Sequence, residues 1–339
     1  MIMGTWGRLA AVVGVAMIAA TACSAKTSET GAGPSCSPGN ERYCSAKDGD
    51  LLDVTLSDLR PTQPSLGYDE VFYRLGRYTL GPEPEKQLLD AWCATNGQGS
   101  LKSAQPEARV ADPGTFTCEV ALGAESAETT APMKTAVIGP GGQLYLTDGH
   151  HTLTSFWEAP GGGPDTHIRL KVAGNLNTST PEAFWQEMKE RGWTWLQDVD
   201  GNPIAPGDLP ASLGLKQFAN DQYRGVLYFA RDVGYAQDDN SPPFQEFYWG
   251  NWLRSQTDPS VRPENFRLTE LSTYQTLVGN IGKAIVALPG DTAIANSLTA
   301  DQLGRMKEFG EKAFDALVQP VDSPKPGKLA LAIQYKTTH

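Results

Sequence analysis

The feature that most restricts the fold is a strand that leads directly into a helix. Residues 143–147 have the apolar and β-branched character of a strand, and Gly149 then permits a sharp turn. A helix is predicted over 149–158, with the adjacent histidines His150 and His151 in its first turn. Because the first N–H groups of a helix have no partner within it, this turn predicts an anion-binding site.

The residues of this turn also suggest chemistry. Asp148 and His150 are separated by one residue, so strand alternation would bring their side chains near each other. Such a pair can position a base, orient a water or supply two metal ligands. The packing alternative is that Asp148 only caps the helix and that His150 and His151 are hydrogen-bonded core residues. No spacing predicts a third metal ligand, so the cofactor is unknown and a divalent metal is left open.

Patterning elsewhere predicts an α/β (α+β) chain. Further strands are predicted over 51–56, 135–138, 167–173 and 329–335. Further helices are predicted over 68–78, 86–94, 181–191, 244–254, 269–288 and 299–318. We expect a domain over 49–255 with a helical C-terminal extension over 256–339 packed on it.

The N-terminal segment is typical of an export signal. Residues 1–22 contain an apolar run that is too short to span a bilayer comfortably. The residues before Cys23 suit an ordinary signal peptidase and also resemble a bacterial lipobox, whose cysteine becomes the lipidated N-terminus. Residues 23–48 are small and polar and predict a flexible tether. We therefore expect an exported, membrane-anchored lipoprotein, periplasmic or on the cell surface.

The cysteine count favours lipidation over simple secretion. Lipidation of Cys23 leaves four cysteines, an even number that suits an oxidising compartment, whereas simple secretion leaves an odd thiol. These four are Cys36, Cys44, Cys93 and Cys118, and of their three connectivities Cys36–Cys44 with Cys93–Cys118 is the most local.

The net charge limits the class of partner. The chain has 28 Lys+Arg and 39 Asp+Glu, a formal charge of −11. Proteins that coat duplex DNA bind its phosphates through clustered basic residues, so this role is disfavoured. A local pocket for an anion is compatible with the charge.

Two motifs in order resemble the ParB/sulfiredoxin superfamily, and most of all its ParB-like nuclease branch. They are residues 59–67 (LRPTQPSLG) and 145–152 (YLTDGHHT), and the resemblance covers about residues 51–255. It implies a mixed-sheet domain of that fold, followed here by a helical C-terminal half. In this superfamily the second motif binds nucleotide phosphates and the first packs beside it. The phosphate-binding candidates are then Gly149, Thr152, Thr62 and Gln63.

The turn departs from the family at two positions. His150 stands where sulfiredoxins have their reactive cysteine, which excludes their chemistry, and Thr152 replaces the arginine that clamps phosphate. The Asp-Gly-His-His sequence is most similar to the turn of archaeal free serine kinases. Arg60, Arg74 or Arg77 could supply a clamp instead, although such arginines commonly form surface ion pairs.

These patterns favour an exported enzyme that hydrolyses a phosphate-bearing small molecule or nucleic acid fragment. The catalytic candidates are Asp148, His150 and His151, with Glu70 as a base at the start of the helix after the first motif. Glu70 could instead be a solvated acid at a helix N-terminus. Two other functions stay open: a non-catalytic lipoprotein that binds an anionic ligand or a partner, and a kinase-like enzyme, which an exported location with little ATP disfavours.

Overall fold

A mixed five-stranded sheet forms the centre of the domain in the computed structural model, which describes residues 36–238, 240–295 and 298–339. The strands are β1 (Leu51–Thr55), β2 (Leu59–Pro61), β3 (Ser65–Leu66), β4 (Leu101–Ala104), β5 (Phe116–Cys118), β6 (Thr135–Ile138), β7 (Leu144–Leu146), β8 (His167–Asn175), β9 (Ala219–Asn220), β10 (Ala293–Ala295) and β11 (Leu298–Thr299). The helices are α1 (Glu41–Cys44), α2 (Tyr68–Thr79), α3 (Pro84–Thr95), α4 (Ala127–Thr130), α5 (His150–Glu158), α6 (Pro181–Glu190), α7 (Gln222–Ala230), α8 (Gln245–Ser255), α9 (Leu271–Val286), α10 (Glu311–Ala316) and α11 (Lys328–Thr338).

The central sheet has the strand order β1-β8-β6-β7-β2. The pairs β6–β8 and β2–β7 are parallel, and β1–β8 and β6–β7 are antiparallel. Alternation along β8 buries Ile168, Leu170 and Val172 in the core. Three two-stranded pairs complete the strand pairing: β3–β9, β4–β5 and β10–β11. The predicted mixed α/β fold is confirmed.

Helix α2 lies between two apolar clusters. Its Val71 and Leu75 belong to the cluster that covers the sheet. Its Phe72 and Tyr73 pack against the second cluster, which the helices α7, α8, α9 and α11 contribute to. Helix α2 is therefore packed on both sides.

Most predicted elements form close to their predicted bounds, but two C-terminal predictions are wrong. The segment 329–335 is not a strand but most of helix α11, because a short apolar run of leucine and alanine suits a helix as well as a strand. The helix predicted over 299–318 forms only at α10. Thr299 and Gln302 do exchange the hydrogen bonds of a capping box, but Gly304 follows with φ +71°, a left-handed conformation that interrupts a helix.

The N-terminal end of the described chain is packed rather than free. Residues 36–48 include helix α1, where Tyr43 is buried, and the N–H of Ser37 donates to the carbonyl of Gly141. This segment therefore differs from the flexible tether predicted over 23–48. The predicted signal peptide over 1–22 and the lipidation site Cys23 lie outside the described residues.

Two disulfides join Cys36 to Cys44 and Cys93 to Cys118, which is the most local of the three connectivities. The first closes a local loop that includes α1, and the second links α3 to β5. Within the described ranges, no helix combines the length and hydropathy needed to traverse a bilayer.

Candidate functional site

A cavity of about 410 Å³ lies where β7 ends and α5 begins. Of the eight predicted catalytic and phosphate-binding residues, seven line it: Gln63, Glu70, Asp148, Gly149, His150, His151 and Thr152. The eighth, Thr62, is fully buried and contacts His150. The two sequence motifs therefore meet at one cavity.

The turn before α5 requires glycine. Gly149 has φ +93°, and a Cβ at this position would lie 2.5 Å from Cγ of Lys134. The first N–H of the helix to find an acceptor is that of Leu153, which donates to the Gly149 carbonyl over 2.9 Å. The backbone N–H groups of residues 150–152 have no acceptor within the described chain, so they are available to an anion.

His150 is a buried, neutral donor. Its Nε2 accepts a hydrogen bond from the backbone N–H of Thr62 over 3.1 Å, so the proton of the neutral ring is on Nδ1. Burial lowers the pKa of His150 to about 3, which Asp148 opposes and Arg224 reinforces. Its Nδ1–H has no hydrogen-bond partner in the described ranges and can donate to a ligand in the cavity.

His151 has the same arrangement one residue later. Its Nε2 accepts from the backbone N–H of Gly67 over 3.1 Å. Burial, reinforced by Arg224, lowers the pKa of His151 well below its ordinary value. The remaining proton on Nδ1 faces Glu70 Oε2 at 3.4 Å. Both histidines therefore use their basic nitrogen to hold the loop between β2 and α2, which leaves each of them with Nδ1–H as a donor.

Asp148 does not pair with His150. Its side chain is 63% exposed, and its Oδ2 accepts from Lys134 Nζ over 3.2 Å. No hydrogen bond joins Asp148 to His150 among the described residues. The predicted Asp–His pair is thus replaced by an Asp–Lys pair at the rim of the cavity.

Glu70 is one of two buried carboxylates that line the cavity. Its Oε1 accepts from Arg74 Nη2 over 2.8 Å, an i,i+4 pair on α2. The other is Glu246, in the first turn of α8, which forms ion pairs with Arg224 and Arg231 of the segment around α7. Burial raises the pKa of the Glu246 carboxyl, but Arg224 and Arg231 outweigh burial and hold it below its usual range.

Arg224, Arg231 and Glu246 line the cavity, and the sequence reasoning missed them. The two arginines are seven residues apart, which puts them about two helical turns apart. That spacing is a weak signal on its own, because it does not reveal the carboxylate with which both arginines pair. Of the arginines proposed as a replacement clamp, Arg74 lines the cavity and Arg60 and Arg77 do not.

A metal site is not evident in the part of the chain that the structure describes. No group of three or more His, Cys, Asp or Glu side chains there is arranged to hold a metal ion. The donors in the cavity are mainly N–H groups and guanidinium groups, which bind anions rather than cations.

A solved structure and a family model are similar to this chain. The structure is similar to the crystal structure of protein Atu1540 from Agrobacterium tumefaciens, with 19% sequence identity, a TM-score of 0.46, and coverage of 70% of this chain and 91% of that chain. Among curated proteins, no significant match was found. The family model described as "Putative ParB-like nuclease" matches residues 52–255, which is more than half of the chain and includes the whole first turn of α5. The chain therefore belongs to this ParB-like nuclease family.

Proposed function

We propose that this protein is an exported hydrolase of phosphate esters, acting on a phosphate-bearing small molecule or nucleic acid fragment. The observation that carries the proposal is the group of free donors around one cavity. They are the backbone N–H groups of residues 150–152 and Nδ1–H of His150, and the carboxylate of Glu70 lines the same cavity.

The charges around the cavity support a phosphate ligand. Four cationic side chains line it, namely Arg74, Lys134, Arg224 and Arg231. They outnumber the three lining carboxylates, Glu70, Asp148 and Glu246, although the whole chain is acidic with a charge of −11. Guanidinium groups and helix N-termini both bind phosphate oxygens well.

In the proposed reaction the phosphate lies against the first turn of α5. A water oxygen attacks phosphorus, Glu70 accepts the water proton, and the P–O bond to the leaving group breaks. The leaving oxygen takes a proton from solvent, and Glu70 returns its proton to solvent. His150 donates through Nδ1–H to the phosphate and does not transfer a proton.

Export and lipidation are part of the same proposal. The N-terminal pattern that ends at Cys23 and the two disulfides both fit an oxidising compartment outside the cytoplasm. In this proposal the protein is attached to the membrane through the lipid on Cys23. The acidic chain is not expected to coat duplex DNA.

The test uses nitrophenyl phosphodiesters and phosphomonoesters, with and without a divalent metal. Glu70→Gln should lower kcat by about 10²–10⁴-fold, the usual contribution of a general base. Calorimetry should detect inorganic phosphate binding to this variant, because the donors of the turn are retained. Glu187→Gln is the matched control, since Glu187 on α6 forms the same i,i+4 pair with Arg191, the residue that ends this helix, outside the cavity. Equal turnover by Glu70→Gln and the native chain would refute the role of Glu70.

The second candidate function is a non-catalytic binder of an anionic ligand. It is favoured by the contacts of Glu70, whose Oε1 is held by Arg74 and whose Oε2 lies 3.4 Å from His151 Nδ1. A base that is engaged at both oxygens is less available to a water. Phosphate binding with no turnover of any ester would favour this function over hydrolysis.

A further inference from the structure

We infer that Tyr274 and Lys336 are positioning residues that hold Glu70 in the cavity by fixing its neighbour Asp69. Both belong to the C-terminal helices α9 and α11, beyond the residues 52–255 that match the family. The catalytic part of this inference rests on the proposed hydrolase function, whereas the positioning part can be tested without turnover.

Asp69 is a buried carboxylate with a donor at each oxygen. The hydroxyl of Tyr274 donates to Oδ2 over 2.8 Å, and Nζ of Lys336 donates to Oδ1 over 3.0 Å. Burial, followed by the neighbouring carboxylate, raises the pKa of Tyr274 well above its ordinary value, so its hydroxyl keeps the proton that it donates. Because a buried carboxylate without donors is costly, these two contacts fix the orientation of Asp69.

The helix that carries Lys336 is packed tightly along α2. A Cβ added to Gly76 would lie only 2.8 Å from the backbone oxygen of Leu331. The ring of Phe72 stacks on Tyr335 with 6.0 Å between centroids. The position of α11 is therefore fixed relative to α2, and Lys336 approaches Asp69 from a rigid element.

The geometry of a helix transmits this restraint to Glu70. Asp69 and Glu70 are consecutive in the first turn of α2, and consecutive helical residues differ in direction by about 100°. Asp69 is thus turned to the C-terminal helices while Glu70 is turned to His151 and the cavity. A rotation of this turn about the helix axis would move both carboxylates together.

The start of α2 is also closed on its other side. A Cβ at Gly67 would lie 2.6 Å from the backbone nitrogen of Gly225 on α7, next to Arg224. The backbone N–H of Gly67 donates to His151. Glu70 therefore belongs to a helical turn that is fixed at its beginning by α7 and α5. The contacts of Asp69 with Tyr274 and Lys336 fix the same turn on the side that faces α9 and α11.

The first experiment measures positioning directly by ¹⁵N NMR of the histidine side chains in the full chain. Tyr274→Phe and Lys336→Met should each shift the Nδ1 resonance of His151, because Glu70 Oε2 moves relative to that proton. The control is Tyr43→Phe. Tyr43 is a buried tyrosine of helix α1 whose hydroxyl donates to Asp58, so this variant also removes a tyrosine–aspartate hydrogen bond. The control should leave the His151 resonance unchanged.

Two results would overturn the positioning role. One is a His151 resonance that is unchanged in both Tyr274→Phe and Lys336→Met, with both variants folded. The other is an equal shift in the Tyr43→Phe control, which would indicate a general response to lost stability. Because Lys336 is partly exposed, Lys336→Met keeps the test available if Tyr274→Phe does not fold.

The second experiment measures turnover. Tyr274→Phe should lower kcat by about 10-fold and leave KM within about 2-fold, because misplacement of a catalytic group affects the chemical step more than binding. Combined with Glu70→Gln, the same substitution should have no further effect on kcat, since it acts through Glu70. A multiplicative loss in the double variant would overturn the catalytic part. A His151 shift with no turnover by the native chain would refute the hydrolase proposal and leave the positioning role standing.

Discussion

Because His150 and His151 are buried in their neutral form, we predict that the free energy of unfolding of this protein falls on mild acidification. The unfolded chain protonates His150 near its ordinary pKa of 6.5, whereas the folded chain protonates it only near 3. Between these values the unfolded state binds a proton that the folded state excludes, so the free energy of unfolding falls as the pH falls. His151, whose pKa is also lowered in the folded state, contributes with the same sign.

The magnitude follows from the linkage of proton binding to folding. One excluded proton changes the free energy of unfolding by about 1.4 kcal/mol per pH unit, which is about 2 kcal/mol for one histidine between pH 7 and pH 5. His151 should add to this loss, and even about 2 kcal/mol is a large part of the stability of an ordinary domain. Most carboxylates titrate below this range, so the histidines dominate it.

Urea unfolding followed by tryptophan fluorescence at pH 7, 6 and 5 measures this effect. His150→Gln should remove about 2 kcal/mol of the loss between pH 7 and pH 5, and His151→Gln should also reduce the loss, because the glutamine oxygen can accept the backbone N–H but does not titrate. His167→Gln is the control, since His167 is half-exposed at the start of β8 and pairs with Asp53 on the edge strand β1. The reasoning is refuted if both buried-histidine variants keep the pH dependence of the native chain.

Two further variants test a disulfide of the domain and the turn before α5. Replacing both Cys93 and Cys118 by serine opens a loop with a sequence separation of 25 residues, and differential scanning calorimetry should record a loss of about 3.5 kcal/mol by the chain-entropy estimate. Gly149→Ala forces a side chain into the left-handed region and against Lys134, so it should cost at least about 1–2 kcal/mol and weaken phosphate binding in calorimetry; unchanged values would contradict the role of this turn.

The sequence predicted the local part of the site. The β7–α5 turn was predictable because strand residues, a glycine and a helix follow one another within about ten positions. The resemblance of residues 59–67 and 145–152 to the ParB/sulfiredoxin superfamily implied that the first motif would lie beside this turn. The structure supplies the physical reason, which is that His150 and His151 accept the backbone N–H groups of Thr62 and Gly67.

The long-range part of the site was not predictable from one sequence. Glu246 and Arg224 are separated from Glu70 by more than 150 residues, and each is an ordinary charged residue of a helix in the sequence. Their ion pair is visible only once α7 and α8 are packed together. The same limitation explains α11, whose apolar run is equally suited to a strand until its packing on α2 is known.

The structure changes what can be inferred from Thr152, which stands where relatives have an arginine. In relatives the arginine of the turn clamps phosphate, and its loss argues against a phosphate site when the motif alone is considered. Here Arg224 and Arg231, around α7, line the same cavity as Thr152, so the positive charge comes from another element. Because both arginines are paired with Glu246, they are held in place before a ligand arrives, and little side-chain entropy is lost when it binds. The proposed phosphate site therefore has cationic side chains beside it although the motif carries threonine in place of the arginine.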